Sequence, residues 1–292
     1  VTRGLTLQTP PSAEPVTLAE AKLFCRIDIP DDDALVGGLV RAARQYVENA
    51  YNRQLVSAAW MATVDRFPRY SSSAVWQYQS DAIWQQRLPI TQLSGQWYPD
   101  RASIRLTRPP LQAVTGITYI DSVTQLRTTV DPSVYNVDTT TEPGRVAPAF
   151  GQIWPIVQQS LASVQVSFVA GYGPVTSISA PTVAGVQTVT PASMFGIYAG
   201  SVLQVDRFSV PSVAETIAVT SVTSTTFTAT FANAHGSGCA VEPAIPEQVR
   251  LAIKQLTNHW YENREAVQAG NFGSVPLAVE AELMSIYPAE YE

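Results

Sequence analysis

Two histidines are the only imidazoles in this 292-residue chain, and acid–base or metal chemistry would start from them. His235 sits in the turn-like run A-N-A-H-G-S-G, and His259 sits in N-H-W-Y beside Trp260. Neither has a cysteine or carboxylate at metal-ligand spacing. Asp31-Asp32-Asp33 offers three carboxylates in a row. The partners a metal needs at fixed spacing are missing, so the run reads as the acidic cap of the helix that follows. Asp206 and Glu215 could form a glycosidase-like pair, but nothing in the sequence sets their separation. Gly171-Tyr172-Gly173 lacks the following Lys-Ser/Thr and the helix of a phosphate loop, so it reads as a turn. There is no G-x-S-x-G elbow, no H-E-x-x-H and no G-x-G-x-x-G. Cys25 and Cys239 are far apart; Cys25 falls on an apolar helix face and is expected as a buried thiol in a reducing compartment. We expect no catalytic residue, no metal and no cofactor, and hence a structural or binding role.

The composition points the same way. Hydrophobic residues make up 46% and charged residues only 14%, well under the roughly 25% usual for soluble domains. The surface must be built from Thr, Ser, Gln and Asn, or be covered by neighbouring subunits. Net charge is −6 with no basic run, which disfavours gripping nucleic acid and suits an acidic wall that DNA slides past. Arginines number sixteen against two lysines, Lys22 and Lys254. Interfaces favour the planar guanidinium fork, although genome composition could produce the same bias. No signal peptide and no apolar run near eighteen residues is visible, so neither secretion nor membrane spanning is expected.

The elements expected to position these residues make an α+β fold. Thr17 and Glu20 form a capping box for a helix to about Arg26, with Leu18, Ala21 and Cys25 on one side. A second helix starts at Asp31–Asp33 and runs to about Tyr51, with an apolar stripe of Leu35, Leu39, Ala43, Tyr46 and Ala50. Gly37-Gly38 inside it costs on the order of 1 kcal/mol per glycine, which close packing on another helix or subunit would explain. Strands are expected at 55–67, 104–106, 111–120, 126–130, 134–137 and 163–168. Residues 68–102 form a long aromatic stretch, read as a contact arm anchored by Trp76, Trp84, Trp97 and Tyr98, or else a self-packed flap. Residues 174–243 carry only four charges (Asp206, Arg207, Glu215 and Glu242) and read as a small all-β insertion, a barrel or sandwich. Residues 1–173 and 244–292 then make the core. Its last long helix begins at Pro246 and shows Val249, Ile253, Leu256 and Trp260 on one face. After Arg264 there are five Glu and no Lys or Arg, so the chain finishes as a short helix and an acidic, Tyr-bearing tip suited to docking.

The motifs carry a family likeness. T-L-A-E-A-K at 17–22, D-D-A-L-V at 32–36, A-A-R-Q-Y-V-E at 42–48, I-R-L-T-R-P-P-L-Q-A-V-T at 104–115, E-P-G-R at 142–145, V-S-F-V-A-G-Y-G at 166–173, P-E-Q-V-R-L-A-I at 246–253, H-W-Y-E-N-R-E at 259–265 and V-P-L-A-V at 275–279 run in order. Together they resemble tailed-phage head–tail connector (adaptor) proteins. The resemblance implies a homo-oligomeric ring, usually of twelve copies, in the virion neck, assembled in the host cytoplasm. Such a ring sits under the portal protein and continues the DNA channel towards a tail-side stopper, head-completion or tail-terminator protein. It implies portal binding through Leu283, Met284, Tyr287, Tyr291 and Glu292, and subunit contacts around Trp260, Tyr261 and Arg264. Two segments, 68–102 and 174–243, are longer than a minimal member needs; the second resembles β modules of phage structural proteins and is expected on the outside of the ring. A tail-completion or decoration protein, or a carbohydrate-binding β protein using the Trp stretch as a stacking platform, stands as the alternative.

Overall fold

The computed structural model describes residues 3–68, 102–207, 213–263 and 277–287. They form an α+β protein that divides into two compact units. The contact arm of Trp76, Trp84, Trp97 and Tyr98 lies outside the described residues, as do Arg264, Tyr291 and Glu292.

The first unit takes residues 1–6, 60–106 and 113–168. It holds most of a five-stranded sheet in the order β1 (Arg3–Thr9), β2 (Ala58–Val64), β8 (Val164–Ala170), β4 (Leu111–Ile120), β5 (Arg127–Thr129). The β4–β5 hairpin forms as its sequence predicts, with Asp121 Oδ1 accepting the Val123 and Thr124 amides (both 2.8 Å) to close the turn. A three-stranded sheet adds β3 (Ile104–Arg105), β7 (Arg145–Pro148) and β6 (Tyr135–Asp138). Between β7 and β8 the chain is irregular but anchored. The Trp154 ring stacks on Phe67 at 4.6 Å, and its Nε1–H donates to the Ala102 carbonyl at 2.7 Å.

The second unit takes residues 7–59, 107–112 and 169–292. Four helices are described in it: α1 (Leu18–Cys25), α2 (Asp33–Ala50), α3 (Glu247–Glu262) and α4 (Leu277–Ile286). The capping box is present: the Glu20 amide donates to Thr17 Oγ1 at 3.2 Å and the Thr17 amide to Glu20 Oε2 at 2.9 Å. Around α3, which α1, α2 and α4 all pack against, lies one apolar core including Ala21, Cys25, Val249, Ile253 and Leu256. Burial of α2 departs from the expected stripe. Val36, Val40, Ala43 and Val47 face the core, whereas Leu35 and Ala50 are exposed and Tyr46 is half-buried. The expected and observed faces are neighbours on the helix surface, and contact with α1 and α3 selects one. Leu18 is likewise exposed while Ala21 and Cys25 are buried. Among the described residues nothing lies within reach of a Cβ added at Gly37 or Gly38, so no described element packs closely on them. Two charged residues, Arg44 and Glu48, share the buried face of α2. They pair at 2.5 Å, and Glu48 also accepts from Gln54 Nε2 (2.7 Å) and the Leu55 amide (3.0 Å).

The 174–243 segment contributes a six-stranded antiparallel sheet to this unit. Its order is β10 (Gly185–Val189), β13 (Phe227–Phe231), β12 (Glu215–Val222), β11 (Val202–Val205), β14 (Ala240–Pro243), β9 (Thr176–Ser177). Just beyond the two edge strands, the Ser179 amide donates to the Thr190 carbonyl and the Ala192 amide to the Ser177 carbonyl. The sheet therefore curls on itself as a half-barrel around its own apolar cluster of Leu203, Val205, Ile217, Phe227, Phe231 and Val241. Among the described residues no helix is long and apolar enough to cross a membrane.

Candidate assembly site

The family-like motifs of the second unit converge on the seat of α4. The R-P-P motif ties off the end of α2: Arg108 Nη1 donates to the Glu48 carbonyl (2.7 Å) and Nη2 to Asn49 Oδ1 (2.8 Å). The carbonyls of Pro109 and Pro110 accept the amides of Gln54 and Gly171. Gly171 has φ +129, and a Cβ there would strike the backbone of Val56 and Ser57. The G-Y-G is thus a turn pressed against residues 55–57, where the Tyr172 amide donates to the Leu55 carbonyl. That turn aims Tyr172 at the C-terminal helix: its hydroxyl lies 2.9 Å from that of Tyr287. The Arg53 guanidinium sits 4.0 Å above the Tyr287 ring and donates to the Tyr172 hydroxyl at 3.3 Å. The Tyr51 ring lies 5.9 Å from the Tyr287 ring. Burial, with Tyr46 and Glu280 nearby, pushes the Tyr51 hydroxyl pKa up, so it stays a neutral donor.

Val279, Leu283 and Tyr287, at spacing i, i+4, i+8, bury into the core and hold α4 on the body. Met284, on another side, is 57% exposed. A ten-residue helix is marginal on its own, so these three side chains decide whether it stays docked. Of the residues implied in portal binding, Leu283 and Tyr287 therefore face inward, and Met284 faces solvent. Of those implied in subunit contact, Trp260 packs edge-on against Tyr46 at 6.2 Å, and the Tyr261 hydroxyl donates to Asp32 Oδ2 at 2.5 Å. Both remain half-exposed.

Two polar clusters join or brace the half-barrel. Arg207 reaches Glu242 (2.8 Å), Glu20 on α1 (3.2 Å) and Glu247 on α3 (3.3 Å), linking the barrel to the helices. Beside it, the fully buried Arg250 donates to the carbonyls of Pro15 and Pro243. Burial, then the Arg207 charge, pushes the Arg250 pKa down against the pull of Glu242, Glu247 and Glu20. Within the barrel, His235 lies between Asp206 (Nδ1–Oδ2, 2.8 Å) and Glu215 (Nε2–Oε1, 2.6 Å). Burial opposes charge on the ring, but the two carboxylate bonds outweigh it and push the His235 pKa up. Both ring nitrogens are thus occupied by acceptors, which leaves neither to take a proton from a nucleophile. Asp206 and Glu215 do meet around one group, and that group is a histidine rather than a sugar. The scarcity of charge in 174–243 was the available signal: when four charged residues serve seventy positions, each one has a structural task. His259, in the last turn of α3, is braced by Asn263, whose Nδ2 donates to its carbonyl at 2.9 Å and lies 3.4 Å from its Nδ1. Among the described residues no group of three or more His, Cys, Asp or Glu could hold a metal.

Residues 15–106 match the model of the family described as phage gp6-like head-tail connector protein. Over this stretch the chain is similar to the head–tail connector family. The match takes in α1, α2, β2 and β3, with the capping box and the Asp-led helix where the motifs placed them. The chain's whole length also has counterparts of known structure. A chain from the virion of a native gene transfer agent (GTA) particle is similar with TM-score 0.54 and 14% identity, over 99% of this chain and 97% of the other. A chain from the neck of an empty GTA particle computed with C6 symmetry gives TM-score 0.52 and 14% identity over the same shares. One from the neck of a native GTA particle computed with C12 symmetry gives 0.52 and 13%, again over 99% and 97%. At such identity the likeness is one of fold. No curated protein sequence matches.

Proposed function

We propose that this connector is a structural virion protein whose identical copies close into a ring in the neck, under the portal, and continue the DNA channel towards the tail. The observation that carries the reading is the coincidence of two signals: a connector module at 15–106, and a fold shared end to end with neck chains of a particle computed with six- and twelve-fold symmetry. Twelve copies follow from that symmetry by analogy. A head-to-tail contact that closes on itself makes a ring, and repetition multiplies weak contacts around it. The acidic balance of −6 suits passage of DNA without sequence-specific grip. On this reading the portal-facing element is the outer side of α4 with Met284 and the tip carrying Tyr291 and Glu292, while Leu283 and Tyr287 seat the helix. Trp76, Trp84, Trp97 and Tyr98 serve contact with a neighbour, and the tail side meets a stopper or terminator ring. The 174–243 barrel lies outermost.

The test is native mass spectrometry and electron microscopy of the purified chain, alone and mixed with portal protein. A closed ring, twelve copies on the portal, is expected. Removal of residues 288–292 spares the buried seat of α4; it should abolish co-migration with portal while leaving the ring. A chain that remains monomeric with and without portal would overturn the reading.

A further inference from the structure

The first unit carries an apolar patch whose residues are held outward by design of the chain around them. Phe150 (86% exposed), Ile153 (82%), Ile156 (67%) and Leu161 (85%) stand on the segment between β7 and β8; Val123 (87%) and Leu126 (67%) stand on the β4–β5 turn. The two segments are stitched together, since the Gln158 amide donates to the Ile120 carbonyl and Asp121 bridges to Val157. Neither is a loose loop. Trp154 and Val157 are buried between the exposed residues, the Ala149 amide donates to the Val134 carbonyl, and the Ala162 amide donates to Asp65 at 3.0 Å. The apolar side chains are therefore preorganised, which lowers the entropy lost on docking. No charged residue occurs between Arg145 and Asp206, so nothing on this segment would be stranded when water leaves.

The area fits a protein interface. An aromatic ring brings about 150–250 Å², and an aliphatic side chain worth 1.5–3 kcal/mol at 25 cal/mol/Å² brings roughly 60–120 Å². Six residues at these exposures present on the order of 350–700 Å², the upper end approaching the about 800 Å² each partner gives a stable complex and the whole range at or beyond the scale of about 300–600 Å² of the largest apolar patch on a typical monomer. A ring contact needs a second, different surface to receive the first. The second unit has one: Leu23 (83%), Phe24 (38%), Ile29 (54%) and Leu35 (39%) are exposed where α1 meets α2. Lys22 fixes this surface by donating to the Ile29 carbonyl and pairing with Asp33.

We infer that the patch around Phe150 and Leu161 docks on a second copy of this chain, against its α1–α2 surface around Leu23 and Ile29. The inference rests on the ring reading and names its contact. It is tested with the full chain carrying Phe150→Ser, Ile153→Ser and Leu161→Ser together. Analytical ultracentrifugation should show ring loss, with association weakened at least a hundredfold, while circular dichroism and the melting temperature stay those of the parent. Separately, a copy carrying Leu161→Cys is mixed with one carrying Leu23→Cys and oxidised; the native Cys25 and Cys239 are buried. Dimers of unlike copies are expected. Rings that form unchanged in the triple variant overturn the inference and leave the ring reading standing, as do rings that form but lose only portal or tail-side binding. Crosslinks solely between like Leu161→Cys copies overturn the head-to-tail pairing. A parent chain that never assembles, alone or on portal, sinks both readings.

Discussion

Replacing His235 by alanine should weaken the half-barrel by about 3–5 kcal/mol while leaving the helical core intact. The imidazole is fully buried and bridges Asp206 at 2.8 Å and Glu215 at 2.6 Å. Each charge-assisted bond is worth about 1.5–3 kcal/mol, and its removal leaves two carboxylates facing one another without a cation. Glu215 keeps some compensation, because it also accepts the Ala232 amide (2.7 Å) and the Asn233 amide (3.1 Å). For that reason we set the cost at the value for a broken buried pair and not at the sum for two isolated charges. Asp206→Asn should cost less, about 1.5–3 kcal/mol. The double variant should fall short of additivity by 0.5 kcal/mol or more, since both changes break one network. The pH dependence has a definite sign. His235 has a folded pKa raised above 6.5, so its contribution is complete below pH 6.5 and is lost as pH rises through the folded value. For Glu215, burial pushes the pKa up, but the His235 bond and the two amides outweigh it and hold it below 4.5. Its contribution is complete above pH 4.5 and is lost as pH falls. Barrel stability should therefore plateau between pH 4.5 and 6.5 and decline on both sides. The thiol of Cys239, pushed up by burial and by Asp206, stays neutral across that window. The assay is hydrogen exchange by mass spectrometry on peptides from 215–222 and 227–231 in the full chain, corrected for intrinsic exchange. Equal protection of parent and His235→Ala at pH 6, or the same alkaline decline in both, would refute the reasoning.

Arg207→Ala should cost about 3–5 kcal/mol at the barrel–helix junction, because Glu20 and Glu242 lose their shared cation in a half-dry setting; limited proteolysis should then release the 174–243 segment, and unchanged resistance would count against the junction. Tyr287→Phe should cost about 1 kcal/mol through the lost contact with Tyr172. Tyr287→Ala should cost about 3–5 kcal/mol through the emptied space under Arg53 and Tyr51. Exchange at 279–287 should speed up in that order; equal rates in both variants would show that the hydroxyl carries the seat of α4 alone.

Much of the local structure was legible from the chain. Thr17 with Glu20 marks a helix start because cap hydrogen bonds involve residues three apart and need nothing distant. The alternation of Val164, Val166 and Phe168 marks β8 (Val164–Ala170), where those three side chains are all buried as the period requires. The scarcity of charge in 174–243 and its turn spacing marked an all-β segment. Gly171-Tyr172-Gly173 could be read as a turn, though not as the brace of a helix more than a hundred residues later.

The residues alone determined which stretches are helix or strand, because those choices rest on backbone hydrogen bonds and periodicity within a few positions. Tertiary structure decided which side of each element is buried and which charges meet. On α2 both Leu35–Leu39 and Val36–Val40 are apolar, and only the arrival of α1 and α3 selects the second pair. Arg44, Arg250 and His235 look misplaced in apolar surroundings until Glu14, Glu48, Pro15, Pro243, Asp206 and Glu215 are brought to them. Burying a charge is tolerable only with its partners in place, and those partners lie up to 235 residues away along the chain.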